Sequence, residues 1–256
     1  MRVLLTNDDG IHAAGLLALH RELHGDHEVY VVAPETEMSA VGHAITLTSP
    51  LRVQKVSKNE TFFGFGVSGT PADCVKIAVQ ELLPEPPDVI LSGINLGANV
   101  GVNVLYSGTV SAATEGAFMG IKSAAISLNT RENPDFRFAA RFSREVIRFL
   151  LESGLKGGTA LNVNIPAIPT DRITGVFITR QGVSRFQERF ERRVDPRGNV
   201  YYWLSGEMPV EETIPDADAK ILRENGISIT PITYDLSSQD EIERLRSQPM
   251  PEYRDL

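Results

Sequence analysis

Short apolar runs alternate with helix-like segments over the first 165 residues, and this alternation restricts the fold more than any other feature of the chain. The runs are rich in Val, Ile and Leu, have the length of strands, and end at turn or helix-capping residues. Predicted strands occupy residues 2–7, 28–33, 88–92, 123–128 and 159–165. Strands that alternate with helices predict an α/β fold with a doubly wound, mostly parallel sheet, whose ligands bind at the carboxyl ends of the strands.

The segments between these strands carry helix signals. Leu16, Leu19 and Leu23 share one face of a predicted helix. Residues 70–73 (T-P-A-D) supply a capping residue, a proline at the first helical position and an acid in the first turn. Residues 133–134 (N-P) predict the start of a long amphipathic helix.

Two parts of the chain depart from the alternation. Residues 39–67 contain three short strand-like runs and predict a small antiparallel excursion from the sheet. We expect a single domain over 1–256, with a hairpin arm at about 176–205 and a C-terminal segment at about 226–256. The stretch 171–199 has seven Arg against four acids, a local charge of +3. A solvated arm and an oligomer contact both explain this local charge. The oligomer contact is also favoured because an isolated two-stranded hairpin is only marginally stable in water.

Composition excludes several classes of function. The net charge of −8 argues against a sequence-independent polynucleotide clamp, which needs a basic surface, but leaves room for a small phosphorylated substrate. No segment has the ~18–20 consecutive apolar residues of a membrane span, and the N-terminus does not resemble a secretory signal. The single cysteine, Cys74, rules out an internal disulfide. These features predict a cytoplasmic protein.

Two adjacent carboxylates, Asp8 and Asp9, follow the first predicted strand. Like charges this close resist joint ionisation unless a cation or strong hydrogen-bond donors lie between them. A divalent ion such as Mg²⁺ or Mn²⁺ relieves the repulsion and prefers oxygen ligands. A surface Asp-Asp-Gly turn, in which Asp caps the next helix, explains the same residues.

Three further segments with small and polar residues follow other predicted strands. Ser39 offers a neutral oxygen after the second strand. The loop at 92–101 is rich in Gly and Asn, and Asn95 within it carries an amide oxygen suited to a metal. Residues 107–109 (S-G-T) open a small-residue helix, where free N–H groups and the helix dipole favour an anion; ordinary N-capping explains one of these hydroxyls. No Gly-Lys-Ser/Thr follows, so a Walker-type ATPase has little support.

The histidines form no zinc-like spacing with each other or with the cysteine, and most suit surface or capping positions. His43, close to Ser39, is the one histidine that deserves a test. Cys74 suits a small core residue.

Taken together, five motifs resemble the survival protein E (SurE) family of metal-dependent nucleotidases and phosphatases. They are L-L-T-N-D-D-G-I at 4–11, S-A-V-G-H-A-I-T at 39–46, V-S-G-T-P-A-D-C-V at 67–75, S-G-I-N-L-G-A-N at 92–99 and Y-S-G-T-V-S-A-A at 106–113. They occur in the order found in the family, and the resemblance extends over the whole chain. It implies a Rossmann-like fold with a hairpin arm and a C-terminal segment that assemble a homodimer or homotetramer.

The resemblance also implies a role for each site residue. One divalent ion per subunit, Mg²⁺ or Mn²⁺, is expected on Asp8, Asp9, Ser39 and Asn95. The phosphate of the substrate is expected on four residues of the later loops: Asn99, Ser107, Gly108 and Thr109. The implied reaction is hydrolysis of a nucleoside 5′-monophosphate, with 3′-monophosphates and short polyphosphate as further candidates, and Asp8 or Asp9 accepts the proton of the attacking water.

Two other classes of protein share parts of this pattern. A signalling receiver domain has an acidic pair after its first strand, but it needs a phospho-accepting Asp after the third parallel strand, where this chain has S-G-I-N at 92–95. A non-catalytic nucleotide-binding module shares the Gly-rich loops, because binding and hydrolysis use the same anion contacts. Base preference, choice of metal and oligomer order stay open.

Overall fold

A computed structural model describes residues 1–130, 132–184, 187–207 and 212–250. Strands and helices alternate along the chain as the sequence predicts. The strands are β1 (Arg2–Thr6), β2 (Glu28–Pro34), β3 (Val53–Lys58), β4 (Thr61–Val67), β5 (Val89–Leu96), β6 (Lys122–Asn129), β7 (Thr159–Pro166), β8 (Val176–Ile178), β9 (Gln187–Val194), β10 (Val200–Glu207) and β11 (Ile227–Thr233). The helices are α1 (Ala14–Leu23), α2 (Pro71–Ile77), α3 (Gly108–Phe118), α4 (Arg137–Glu152), α5 (Asp218–Arg223) and α6 (Gln239–Arg246).

The described strands form a nine-stranded sheet in the order β3-β4-β2-β1-β5-β6-β7-β11-β8, and β9 and β10 pair separately. From β4 to β7 all neighbours run parallel, whereas β3 and β11 pair antiparallel with this central block. β2 and β4 lie on one side of β1 in the sheet, and the later strands β5, β6 and β7 lie on the other side. The strand order therefore reverses between β1 and β5, where α/β proteins bind ligands.

Helices cover both faces of this sheet. α1 and α4 pack on one face, where Leu16, Leu19 and Leu23 are fully buried as their spacing predicts. α2 and α3 pack on the opposite face around Cys74. Gly15 of α1 lies so close to β5 that a Cβ there would come within 2.0 Å of the Ile94 carbonyl oxygen. The predicted doubly wound sheet is confirmed.

The two predicted helix starts have different outcomes. α2 begins as predicted: the Thr70 hydroxyl accepts from the Asp73 N–H at 3.2 Å, and the Asp73 carboxylate accepts from the Thr70 N–H at 2.9 Å. The predicted start of α4 at residues 133–134 is wrong, because the helix begins at Arg137. Asn133 has a φ of +45°, which is left-handed rather than helical, and Asp135 Oδ1 accepts from the Arg137 N–H at 3.0 Å instead.

The antiparallel excursion is smaller than predicted. Residues 43–48 form no strand, and β4 pairs parallel with β2, so within this excursion only β3 runs against the central strands.

The hairpin consists of β9 and β10, and the segment 176–180, which was predicted as part of the arm, lies elsewhere. β8 pairs parallel with β11 as the outer strand of the main sheet. An apolar run of three residues can pair with any free strand edge, and β11 offers one. Beyond β11, α6 has no buried residue.

Candidate active site

Asp8 lies directly after β1 against the N-terminus of α3. It is 6% exposed, and the Thr109 hydroxyl donates to its Oδ1 at 2.5 Å. Burial raises the pKa of Asp8, while hydrogen bonds from Thr109 and the Gly108 backbone act to lower it. The first acid of the pair is thus a buried carboxyl group in direct contact with the predicted anion site.

Gly108 allows this contact because it has no side chain. A Cβ at this position would lie 2.7 Å from the Asp8 Cβ and 3.0 Å from Asp8 Oδ2. Real Cβ atoms do not come as close as 2.7 Å, so any larger residue would push the acid and the helix apart.

Asp9 is partly buried beside its neighbour. Its pKa is raised to about 6 by burial and, to a lesser extent, by the negative charges of Asp8 and Glu37. A hydrogen bond from the Leu96 backbone acts to lower this pKa. The Leu96 contact connects Asp9 to the end of β5, and the charge of Glu37 connects it to the loop after β2. The end of β5 and the loop after β2 therefore both lie near this carboxyl group.

Ser39 lies in the loop after β2, which contacts the acidic pair through its backbone. The Met38 N–H donates to the Asp8 carbonyl oxygen at 2.7 Å. Ser39 is exposed, and its hydroxyl donates to Glu37 Oε1 at 2.5 Å. That bond uses the hydroxyl hydrogen and leaves the oxygen lone pairs available to a cation.

Asn95 lies near the end of β5, the neighbour of β1. Its Nδ2 donates to the Gly97 carbonyl oxygen at 2.8 Å, and the Gly97 N–H donates to Leu128 at 2.9 Å. The Asn95 Oδ1 receives no hydrogen bond from any residue that the structure describes. Its amide oxygen therefore has the free lone pairs that a metal ligand needs.

Asn99 is buried and holds its loop to β6 and β7. Its N–H donates to Asn164 Oδ1 at 2.7 Å, and its carbonyl oxygen accepts from Asn162 at 2.7 Å and from Asn164 at 3.0 Å. Its own Nδ2 donates to Ser127 at 2.9 Å. Sequence reasoning missed Asn162 and Asn164. The available signal was the alternation L-N-V-N-I in a buried strand, which places two amides on one face.

Ser107 is the N-cap of α3, and its hydroxyl accepts from the Val110 N–H at 3.1 Å. The capping interpretation of this serine is therefore confirmed. Capping by Ser107 satisfies the Val110 N–H, and the Gly108 and Thr109 N–H groups interact with Asp8, so the positive end of α3 faces this acid.

The donors at this edge of the sheet fit a hard divalent cation. Asp8 and Asp9 supply carboxylates, and Ser39 and Asn95 supply neutral oxygens, which is the donor chemistry that Mg²⁺ and Mn²⁺ prefer. Burial is the largest cause of the raised pKa of each acid, and a bound cation would offset the cost of burying their negative charge. In the described part of the chain, no group of three or more His, Cys, Asp or Glu side chains is arranged to hold a metal. A cation here therefore depends on the neutral oxygens.

Cys74, His20 and His24 lie outside this arrangement. Cys74 is buried, which raises the pKa of its thiol well above the usual value and makes it inert. His20 and His24 stack on each other at the surface of α1. His43 behaves differently: its Nε2 lies 2.8 Å from Glu115 Oε2, next to the loop of Ser39.

Comparisons with known proteins agree on one family. The model of the family described as "Survival protein SurE" matches residues 3–188. A relative named 5′-nucleotidase SurE from Syntrophus aciditrophicus is 54% identical over 248 residues, covering 96% of this chain and 93% of its own. A relative of the same name from Syntrophobacter fumaroxidans is 53% identical over 245 residues, covering 96% and 98%. The crystal structure of a SurE protein from Aquifex aeolicus superposes with a TM-score of 0.81 at 37% identity, covering 96% of this chain and all of that one.

None of the helices within the described ranges is long and apolar enough to cross a membrane.

Proposed function

The chain belongs to the survival protein SurE family, and we propose that it is a metal-dependent 5′-nucleotidase. The reaction is hydrolysis of a nucleoside 5′-monophosphate to a nucleoside and phosphate. Its relatives from two bacteria carry the name 5′-nucleotidase SurE. The observation that carries the proposal is the contact between Asp8 and the N-terminus of α3 at Thr109.

This contact brings two opposite electrostatic preferences together. The N-terminus of α3 attracts an anion through its N–H groups and its dipole. Asp8 and Asp9 repel an anion at the same place. A cation held by Asp8 and Asp9 would satisfy the carboxylates and would supply the positive charge that a phosphate needs at this place.

We assign the metal to Asp8, Asp9, Ser39 and Asn95, one Mg²⁺ or Mn²⁺ per subunit. When bound, the cation supplies positive charge against the phosphate and makes water more acidic. The four protein ligands hold two negative charges and two neutral oxygens, which leaves room for substrate and water. The site therefore needs no protein nucleophile.

The acidic pair also accepts the proton of the attacking water in this proposal. Carboxylates are among the side chains that act as general bases in hydrolysis. Because Asp8 and Asp9 interact, they titrate as a pair, and we assign the role to the pair.

The phosphate is assigned to Asn99, Ser107, Gly108 and Thr109. Backbone N–H groups of the 107–109 turn oppose the charge that develops on the phosphate oxygens. Asn99 Nδ2 has two hydrogens, one of which is donated to Ser127. Its second hydrogen is the group that we assign to a phosphate oxygen.

The same contacts suit other phosphate compounds. Nothing at the phosphate turn depends on the position of the ester on the ribose, so we include 3′-monophosphates and short polyphosphate as further substrates. A long polynucleotide is disfavoured by the net charge of −8.

We further propose that residues 187–207 and the C-terminal segment are contacts in a homodimer or homotetramer. β9 and β10 carry exposed large apolar side chains, among them Trp203 at 57% exposure. A two-stranded sheet with this surface needs a partner to pack on. The single cysteine is reduced in the cytoplasm, where we place the protein.

Phosphate release from AMP tests the proposed function. We expect turnover with Mn²⁺ or Mg²⁺ and none after exhaustive EDTA treatment, with recovery when metal is added back. A panel of 5′-AMP, 3′-AMP and triphosphate determines the substrate range. AMP binding without phosphate release under any metal would indicate a non-catalytic nucleotide-binding module, and activity that survives EDTA would contradict the metal site.

A further inference from the structure

Loop 38–46 carries Ser39 and contains no helix or strand, so its position depends on contacts with the rest of the protein. The Met38 N–H donates to Asp8, and the Gly42 N–H donates to the Tyr106 carbonyl oxygen at 3.0 Å. Between them, Ala40 has a φ of +56°, a left-handed conformation that a residue with a Cβ rarely adopts. Such a conformation persists where the surroundings impose it.

His43 provides side-chain contacts for this loop, and all of its partners belong to α3. Its Nε2 lies 2.8 Å from Glu115 Oε2, and its Nδ1 lies 3.3 Å from the Thr114 hydroxyl. Its ring stacks on Phe118 with centroids 5.1 Å apart and an interplanar angle of 10°. α3 is also the helix whose N-terminus contacts Asp8. The histidine therefore joins the Ser39 loop to the helix that carries the phosphate turn.

Glu115 is a strong acceptor for this contact. Its side chain is 8% exposed, and Lys76 Nζ lies 3.0 Å from its other oxygen. Burial acts to raise the pKa of Glu115, but the hydrogen bonds from His43 and Lys76 hold it below the usual value. The group is therefore ionised at neutral pH, and hydrogen bonds to ionised acceptors are the stronger kind.

We propose that His43 is a positioning residue for the hydrolysis, which fixes the loop through Glu115 so that Ser39 faces the acidic pair. The inference rests on the proposed function and deepens it. Histidine suits this position because it offers a ring N–H to Glu115 and a flat face to Phe118 at once. Phenylalanine keeps only the flat face, and glutamine keeps only an N–H donor.

A role confined to folding would lower the melting temperature when His43 is replaced, whereas a positioning role would not. The His43 side chain is 31% exposed, and it contacts no strand of the sheet through a hydrogen bond in the described residues. Its loss should therefore loosen residues 38–46 and leave the sheet and its melting temperature nearly unchanged.

The test compares His43→Phe with His43→Gln, and uses His24→Phe as the control. His24 is the exposed C-cap residue of α1, and its Nδ1 contacts carbonyl groups in the last turn of that helix. The measurements are kcat and KM for AMP, Mn²⁺ affinity by calorimetry, and hydrogen exchange of residues 38–46 in the metal-free enzyme.

We expect His43→Phe to lower kcat/KM about tenfold, the loss expected for one hydrogen bond to a charged acceptor. It should also weaken Mn²⁺ binding several-fold, since Ser39 is a proposed ligand, and speed exchange in 38–46. His43→Gln should recover part of each effect. In a Glu115→Gln background, His43→Phe should add little, because the bond is already weakened.

Two outcomes overturn the proposal. One is wild-type kcat/KM, Mn²⁺ affinity and exchange in His43→Phe. The other is a loss of activity in parallel with melting temperature while exchange in 38–46 stays at the wild-type rate. A wild-type protein that releases no phosphate would refute the proposed function instead, and exchange and Mn²⁺ affinity would still decide whether His43 holds the loop.

Discussion

The Thr109 hydroxyl donates to Asp8 at 2.5 Å and so joins two residues that are 101 positions apart in the chain. Asp8 follows the first strand of the sheet, and Thr109 lies in the first turn of α3. The bond makes the acidic pair and the phosphate turn one continuous structure. Whatever binds at one of them changes the charge that the other experiences.

Asp8→Asn should abolish most turnover without harming the fold. We expect kcat to fall by at least about a hundredfold, the scale seen when a group that stabilises the transition state is removed. Because burial raises the pKa of Asp8, the neutral amide should leave the melting temperature equal or higher at pH 7. Steady-state kinetics and thermal melts check both effects, and Asp171→Asn, an exposed acid, is the matched control. Near-wild-type turnover at saturating Mn²⁺ would reject the ligand assignment.

The metal-free protein should lose stability as the pH rises through about 6. The pKa of Asp9 is raised from 3.8 to about 6 in the folded state, so the folded protein binds this proton more tightly than the unfolded chain does. The stabilisation from the protonated acid is complete below the unfolded pKa and is lost between about pH 4 and pH 6. Thermal melts in EDTA from pH 4 to pH 8 should show this loss, and Asp9→Asn should flatten it. An unchanged pH profile in Asp9→Asn would refute the assignment to this group.

Much of the site follows from the sequence because the fold sets a general rule. Asp8, Ser39 and Asn95 each follow a predicted strand, and parallel strands bring their carboxyl ends to one edge. The side-chain contacts that hold the loops of the site could not be predicted in the same way. Asn164 meets Asn99, and Glu115 meets His43, because of side-chain positions across 65 and 72 residues of chain.

The hairpin shows a second limit of sequence reasoning. Residues 176–178 have the composition of an arm strand, but they pair with β11. Pairing of so short a run depends on which strand edge is free in three dimensions. The sequence pattern has no information on that point.

Gly108→Ala should damage both activity and stability. A Cβ would lie 2.7 Å from the Asp8 Cβ and 3.0 Å from Pro71, so the acid or the helix must move. Overpacking of this kind costs about 1–3 kcal/mol of unfolding free energy, and the displaced Asp8 should lower kcat as well. Denaturant unfolding and AMP hydrolysis measure these effects. Gly25→Ala, where an added Cβ meets nothing within 4 Å, should match the wild type; equal behaviour of the two variants would contradict the close contact.

Charges on the apolar face of the hairpin should weaken assembly. Phe190 and Leu204 are cross-strand partners, and both are exposed. The double variant Phe190→Lys, Leu204→Lys should sediment at a lower mass than the wild type, because buried lysines oppose packing. The double variant Gln54→Lys, Ser57→Lys, at exposed positions of β3 outside the hairpin, is the matched control and should keep the native mass. The oligomer assignment fails if the double variant keeps it too.

Asn164→Leu should show that the contacts that hold Asn99 in place act separately from the metal ligands. The two side chains have similar shapes, so the packing of β7 is kept while both hydrogen bonds to Asn99 are lost. The Asn99 N–H then has no partner in the buried loop, which costs about 1–3 kcal/mol. Asn162 still donates to the Asn99 carbonyl oxygen, so the loop should shift rather than unfold. We expect a higher KM for AMP with little change in Mn²⁺ affinity, because Asn99 is assigned to the phosphate and not to the metal. Asn129→Leu, at the exposed end of β6, is the control. A fall in Mn²⁺ affinity by the same factor as the rise in KM would show that the phosphate and metal residues do not act separately.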